Sequence, residues 1–199
     1  MQKRKRRNPG KRLLLTLAAL SSVIAGYYLG QYWQRQPLAE LSAVVYPSGQ
    51  PVDYPPGLDL ADEAGESRTW RLFIVADTGV AQCRELMRHF ATVFNRLAAW
   101  PQIQENLRLA VLAYDRPDTS AATAFTGGVT WAEVVSADPK QLDTLSTQLG
   151  ILPDGTGWCT ATTSNGILVA PDRKRWALIP YEQAAMMARS LSTIIAFVE

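Results

Sequence analysis

Histidine occurs once in this chain of 199 residues and cysteine only twice. A single histidine leaves no multi-histidine metal centre and no Ser/His/Asp candidate set, and no zinc-ligand cluster is present. There is no P-loop and no Gly-rich dinucleotide turn, so nucleotide chemistry has no local footing. Two cysteines are too few for a disulfide scaffold; they are open as one bond, two buried thiols or a functional pair. A hydrophobic share of 47 % is far too low for a multi-span transporter. The body also lacks positive charge. Of the 20 Lys and Arg, seven lie in the first twelve residues and one is Arg35, leaving 12 against all 18 acidic residues in 36–199, a net −6. The basic charge is a tail and not a patch, which excludes a nucleic-acid partner. No internal repeat is visible.

What is present begins with that tail, Lys3, Arg4, Lys5, Arg6, Arg7, Lys11 and Arg12. An apolar run follows from Leu13 to Gly30, broken only by Thr16, Ser21 and Ser22, hydroxyls that can bond back one helical turn. Eighteen residues at the helical rise make about 27 Å, near the roughly 30 Å of a hydrocarbon core. Tyr27, Tyr28, Tyr32 and Trp33 suit the far interface. The charge asymmetry predicts a single-pass inner-membrane protein, N-terminus cytoplasmic and C-terminal domain on the periplasmic or equivalent side. The competing cleaved signal peptide needs a shorter apolar stretch and an A-x-A-like site, neither of which is here. The expected organisation is a basic tail over 1–12, an anchor over 13–33, a Pro-rich stalk over 34–57 and a globular domain over 58–199.

Within that domain, Leu72–Ala76 and Leu107–Tyr114 read as strands buried on both faces. Between them, Cys83 to Trp100 has helical spacing and Pro101 stops it. Thr119 offers a cap for a short helix through Phe125, and Trp131–Val135 is a strand. Asp138 caps a helix with Pro139 first and Gly150 closing it. Gly166–Ala170 and Arg175–Ile179 read as a hairpin, and Tyr181–Val198 as an amphipathic helix. Strands alternating with helices predict an α/β sandwich, a central mixed sheet flanked by helices.

In that order the elements form the thioredoxin-like arrangement, and several stretches together resemble the SCO/SenC family of membrane-anchored copper proteins for cytochrome oxidase assembly. The stretches are the Pro-rich lead-in Gly49–Pro55, the strand Leu72–Ala76 running into Gly79-Val80-Ala81-Gln82-Cys83, and the turn Asp115-Arg116-Pro117-Asp118-Thr119. Leu149-Gly150-Ile151 and Ile167–Asp172 complete the match. The family binds copper through two cysteines of a Cys-x-x-x-Cys loop and one distant histidine, a set suited to a soft ion. Here Cys83 stands at the second cysteine, Gly79 at the first, and Thr162 at the histidine. One ligand of three survives, so the standard copper site is not expected.

Cys159 lies three residues before Thr162. The resemblance implies that its loop, Gly157-Trp158-Cys159-Thr160, passes over the start of the helix carrying Cys83. The two sulfurs would then be within bonding reach, which requires Cα atoms roughly 4.4–6.8 Å apart. Oxidised, they are a candidate redox pair; reduced, two thiolates could hold Cu(I). The alternative is two unrelated thiols. His89 falls with Glu85, Arg88, Thr92 and Arg96 on a polar helix face and reads as a solvated surface residue. Asp77, Asp115 and Asp118 read as turn and cap residues, Arg173-Lys174-Arg175 as a solvated turn, and Trp131, Trp158 and Trp176 as packing residues. Three functions follow. The first is a SCO-like accessory protein in cytochrome oxidase or copper-site assembly, docking to an oxidase subunit or copper assembly factor without a complete copper site. The second is a thiol–disulfide active protein, and the third a non-catalytic interaction domain on the same scaffold.

Overall fold

The computed structural model describes residues 17–30, 38, 40–55, 58, 60, 69–135, 137–151, 159 and 164–199. The chain divides into two compact units at Glu40/Leu41. In the first, residues 17–30 form a helix (α1). Leu17, Leu20, Val23, Ile24, Tyr27, Tyr28 and Leu29 are exposed on it. Ser21 and Ser22 donate to the carbonyls of Leu17 and Ala18, both at 2.9 Å, the back-bonding expected of hydroxyls in an apolar helix. Among the described residues no helix is long and apolar enough to cross a membrane. The basic tail, residues 13–16 of the expected span, and Tyr32 and Trp33 lie outside the described residues.

The second unit is a six-stranded mixed sheet in the order β1-β6-β5-β2-β3-β4. Its strands are β1 (Val44–Pro51), β2 (Trp70–Ala76), β3 (Leu107–Ala113), β4 (Ala132–Val135), β5 (Gly166–Val169) and β6 (Lys174–Ile179). The helices are α2 (Ala81–Arg96), α3 (Pro101–Asn106), α4 (Thr119–Thr126), α5 (Pro139–Leu149) and α6 (Ala184–Val198). β2, β3 and β4 are parallel, as crossover helices require. β5 runs antiparallel to β2 and β6 to β5, so the hairpin extends the sheet on the other side of β2.

Strand alternation sorts the sheet's two faces. Phe73 and Val75 of β2, Ala110 and Leu112 of β3, and Ile167 and Val169 of β5 form one core with Leu142, Leu145 and Leu149 of α5. Val52, Leu58 and Leu60 close its edge. Leu72, Ile74, Leu109 and Val111 alternate with these and are fully buried too. Helices α2 and α6 pack against each other, burying Phe90, Val93 and Phe94 of the one and Met187, Leu191 and Ile194 of the other. Trp131 stacks on Phe94 with ring centroids 4.4 Å apart, the packing role expected of it.

Three elements differ from expectation. The helix after β2 ends at Arg96, passes through a 3-10 turn at Leu97–Ala99, and Pro101 opens α3 instead of stopping the chain's helical course. Proline at the first helical position lacks only an N–H that would be unpaired anyway. Part of the Pro-rich segment becomes β1, antiparallel to β6, with a register shift between Val45 and Gln50. Pro47 and Pro51 are tolerated there because β1 is an edge strand. The cap of α4 is Asp118, accepting from the Ala121 amide at 2.7 Å, and not Thr119.

Helix α5 carries a complete capping box: Asp138 accepts from Gln141 N–H while the Gln141 side chain accepts from Asp138 N–H. Gly150 closes it at φ 75°, a left-handed position where a side chain would be strained. Replacing Asp138 with Ala should cost about 1 kcal/mol, seen as a lower urea midpoint with an unchanged slope.

Candidate functional site: a sulfur pair at the end of the central strand

β2 is buried at every position, and its chain emerges at Asp77. Asp77 Oδ1 accepts from Gly79 N–H at 2.9 Å, and Val80 N–H bonds back to the Asp77 carbonyl at 3.2 Å. These two bonds turn the chain from strand into helix within four residues. Asp115, at the end of β3, accepts from the Thr78 amide at 2.9 Å and from its hydroxyl. It clamps this loop to its neighbour, a role beyond the turn duty read from sequence.

Cys83 is the third residue of α2 and has no exposed surface. The helix start has no side-chain cap on its amides and no acidic residue in its first turn. Asp77 N–H points at the Cys83 sulfur from 3.4 Å. All of these favour negative charge on that sulfur.

Cys83 and Cys159 form a disulfide with Cα atoms 5.0 Å apart, across a sequence separation of 76. This is the reach expected of the pair, and it makes them one bond instead of two unrelated thiols. Cys159 is partly exposed, and its backbone is left-handed at φ 61°. For a residue with a Cβ that conformation costs roughly 1–2 kcal/mol, so its surroundings must hold it there. Its sulfur stands 3.9 Å from the Val75 carbonyl, above the end of β2.

The copper ligand set does not fit this geometry. Gly79 offers no donor, and a disulfide offers no thiolate to a metal. Gly79 is not demanded by the backbone: a Cβ there would meet only Asp77 Oδ1, at 3.3 Å. Among the described residues no three His, Cys, Asp or Glu side chains could hold a metal ion. Thr162 and Trp158 lie outside the described residues.

His89 is not free on a polar face. It is half-buried where α2 meets α6, its Nε2 3.3 Å from Met187 Sδ and its ring 4.6 Å from that of Tyr181. Burial lowers its pKa below 6.5, opposed in part by the backbone at Glu182. Of the two half-buried phenols, Tyr54 is pushed up to about 12 by burial, against the attraction of Arg71 and Arg173. Tyr114 is also raised by burial and donates to Ser146. Both are neutral hydroxyls near neutral pH and not bases. Arg173 and Arg175 lie over the rings of Tyr54 and Tyr46, so the basic turn is partly engaged in packing. A cleft of about 370 Å³ at the same sheet end is lined by Arg116, Pro117, Val135 and Asp138.

No family model matches the chain, and neither does any curated protein sequence. Solved structures do. Apo Sco1 from Thermus thermophilus superposes with a TM-score of 0.57 at 13 % identity, over 78 % of this chain and 96 % of that one. Copper-bound ScoI from Arabidopsis thaliana superposes with a TM-score of 0.54 at 8 % identity, over 67 % and 88 %. The domain therefore has the thioredoxin-like fold of Sco proteins.

A histidine whose folded pKa is depressed stabilises the protein above its unfolded value, and that stability is lost as pH falls through the folded value. Stability should therefore drop below pH 6.5. Denaturant melts at about pH 7.5 and about pH 5 should show a smaller drop in His89→Gln than in the wild type.

Proposed function

We propose that this chain is a SCO-like accessory protein that serves the assembly of a copper site, as in cytochrome oxidase. It acts by thiol–disulfide exchange at Cys83–Cys159 and not through a resident copper ion. The observation that carries the reading is the disulfide itself. On a Sco fold, the sulfur at the start of α2 is paired not within its own loop, where Gly79 stands, but with Cys159.

The chemistry follows from the pairing. A copper site built on thiolates can accept its metal only while the partner's cysteines are reduced. In its dithiol form this protein would give two electrons to a partner disulfide, leaving a partner dithiol and re-forming Cys83–Cys159. A dithiol donor on the same side of the membrane would then reduce it again.

The basic tail and the apolar run support a single N-terminal tether in the inner membrane, N-terminus cytoplasmic and the domain on the periplasmic side. An oxidising compartment suits a disulfide of this kind. Tethering would raise the domain's effective concentration near membrane-embedded partners without any new contact.

Deleting the protein should lower the copper content of the assembled oxidase. The wild-type chain should restore it, while Cys83→Ser and Cys159→Ser should not, at equal protein levels. Unchanged copper loading in the deletion strain would sink the assembly role. Full rescue by both serine variants would sink the exchange role.

A further inference from the structure

We infer that exchange at this disulfide is one-sided: an incoming thiolate attacks Cys159 Sγ, and Cys83 is the leaving group. The inference rests on the exchange reading above and assigns its two residues different roles.

Accessibility decides which sulfur is attacked. Displacement at a disulfide needs the nucleophile in line with the S–S bond, beyond the sulfur it attacks. Cys83 has no exposed surface, and the Asp77 amide lies against its sulfur. Cys159 is partly exposed.

The surroundings of each sulfur decide which one leaves well. A departing Cys83 thiolate keeps the Asp77 N–H at 3.4 Å and lies at the positive end of α2, whose start carries no side-chain cap and no acidic residue in its first turn. The two carboxylates that shape the preceding turn already accept hydrogen bonds, Asp77 from the Gly79 amide and Asp115 from Thr78. Cys159 faces the opposite polarity, because its described neighbour is the Val75 carbonyl oxygen at 3.9 Å. A carbonyl oxygen repels a thiolate where an amide N–H attracts it, so both features point the same way.

The steps balance. A partner thiolate bonds to Cys159 Sγ, the Sγ–Sγ bond breaks, and its electron pair leaves on Cys83. The partner's second thiolate then attacks the partner sulfur of the mixed disulfide. Cys159 leaves as a thiolate and takes a proton from water. The partner dithiol has become a disulfide, and the two cysteines have gained two electrons. In the reducing direction Cys159 attacks the partner disulfide, and Cys83 resolves the mixed disulfide from below.

Mapping a trapped adduct tests this on the full oxidised chain. Reduced glutathione is added, the reaction is quenched in acid within its first turnover, and the protein is then unfolded, alkylated and mapped by mass spectrometry. Glutathione on Cys159 with the alkyl group on Cys83 is the expected result. Glutathione on Cys83, or equally on both, overturns the assigned order while the exchange reading stands. A disulfide that stays closed in the native protein under excess glutathione overturns both. Single-cysteine variants add an independent rate: the free thiol of Cys83→Ser should react with a disulfide probe at least about tenfold faster than that of Cys159→Ser, because enclosure of Cys83 outweighs its larger thiolate fraction. Equal rates in two folded variants would contradict the order.

Discussion

The burial of β2 on both faces is the constraint from which the site follows. Every residue from Trp70 to Ala76 is enclosed, held by parallel pairing to β3 on one edge and antiparallel pairing to β5 on the other. A strand packed on four sides cannot shift by one residue without moving its entire apolar set to the wrong face. Its end is therefore fixed in space, and the tight turn at Asp77–Val80 transfers that fixity to the first turn of α2. Cys83 inherits its position from the core, within which it is fully buried.

The disulfide sits between opposing energies. Closing a loop of this length costs the unfolded chain roughly 4–5 kcal/mol on the chain-entropy account; the fold brings the sulfurs together and spares that cost, which corresponds to about 100 mV of added resistance to reduction in the folded protein. Against it stand two local terms. The amides around Cys83 stabilise the thiolate released by reduction, and the left-handed backbone at Cys159 is a conformation that a non-glycine residue holds at a cost. The account of function requires these opposing terms to bring the pair back within reach of cellular thiols. A purely structural bond would need neither.

Much of this was legible in the sequence where the determining forces are local. The apolar runs of β2 and β3, the Asp138 cap and the closing Gly150 each declare themselves within a few residues, though the reciprocal bond from Gln141 does not. What was missed depends on long-range partners. Pro101 reads as a stop because a stop and a first helical position look the same until the next turn is seen. β1 was read only as a possible short bridge around Ala43–Tyr46, because only its pairing with β6, more than a hundred residues on, makes the Pro-rich segment a strand through Pro51. His89 read as solvated because a helical wheel does not show that Met187 of α6 and Tyr181, in the segment before it, come over the ring. Asp115 concealed its bond to Thr78 for the same reason. The cysteine pairing spans 76 residues, and no local pattern specifies it; only the family resemblance brought the two loops together on paper.

The central claim is that Cys83–Cys159 is an exchanging bond and not a permanent staple, and its reduction potential tests this most directly. The full chain would be equilibrated in glutathione and dithiothreitol redox buffers and the dithiol fraction measured by alkylation. The account predicts a potential above about −300 mV, where thiol donors of the compartment can turn the bond over. A value well below about −300 mV, typical of structural disulfides, would contradict it and leave the sulfur pair as a brace.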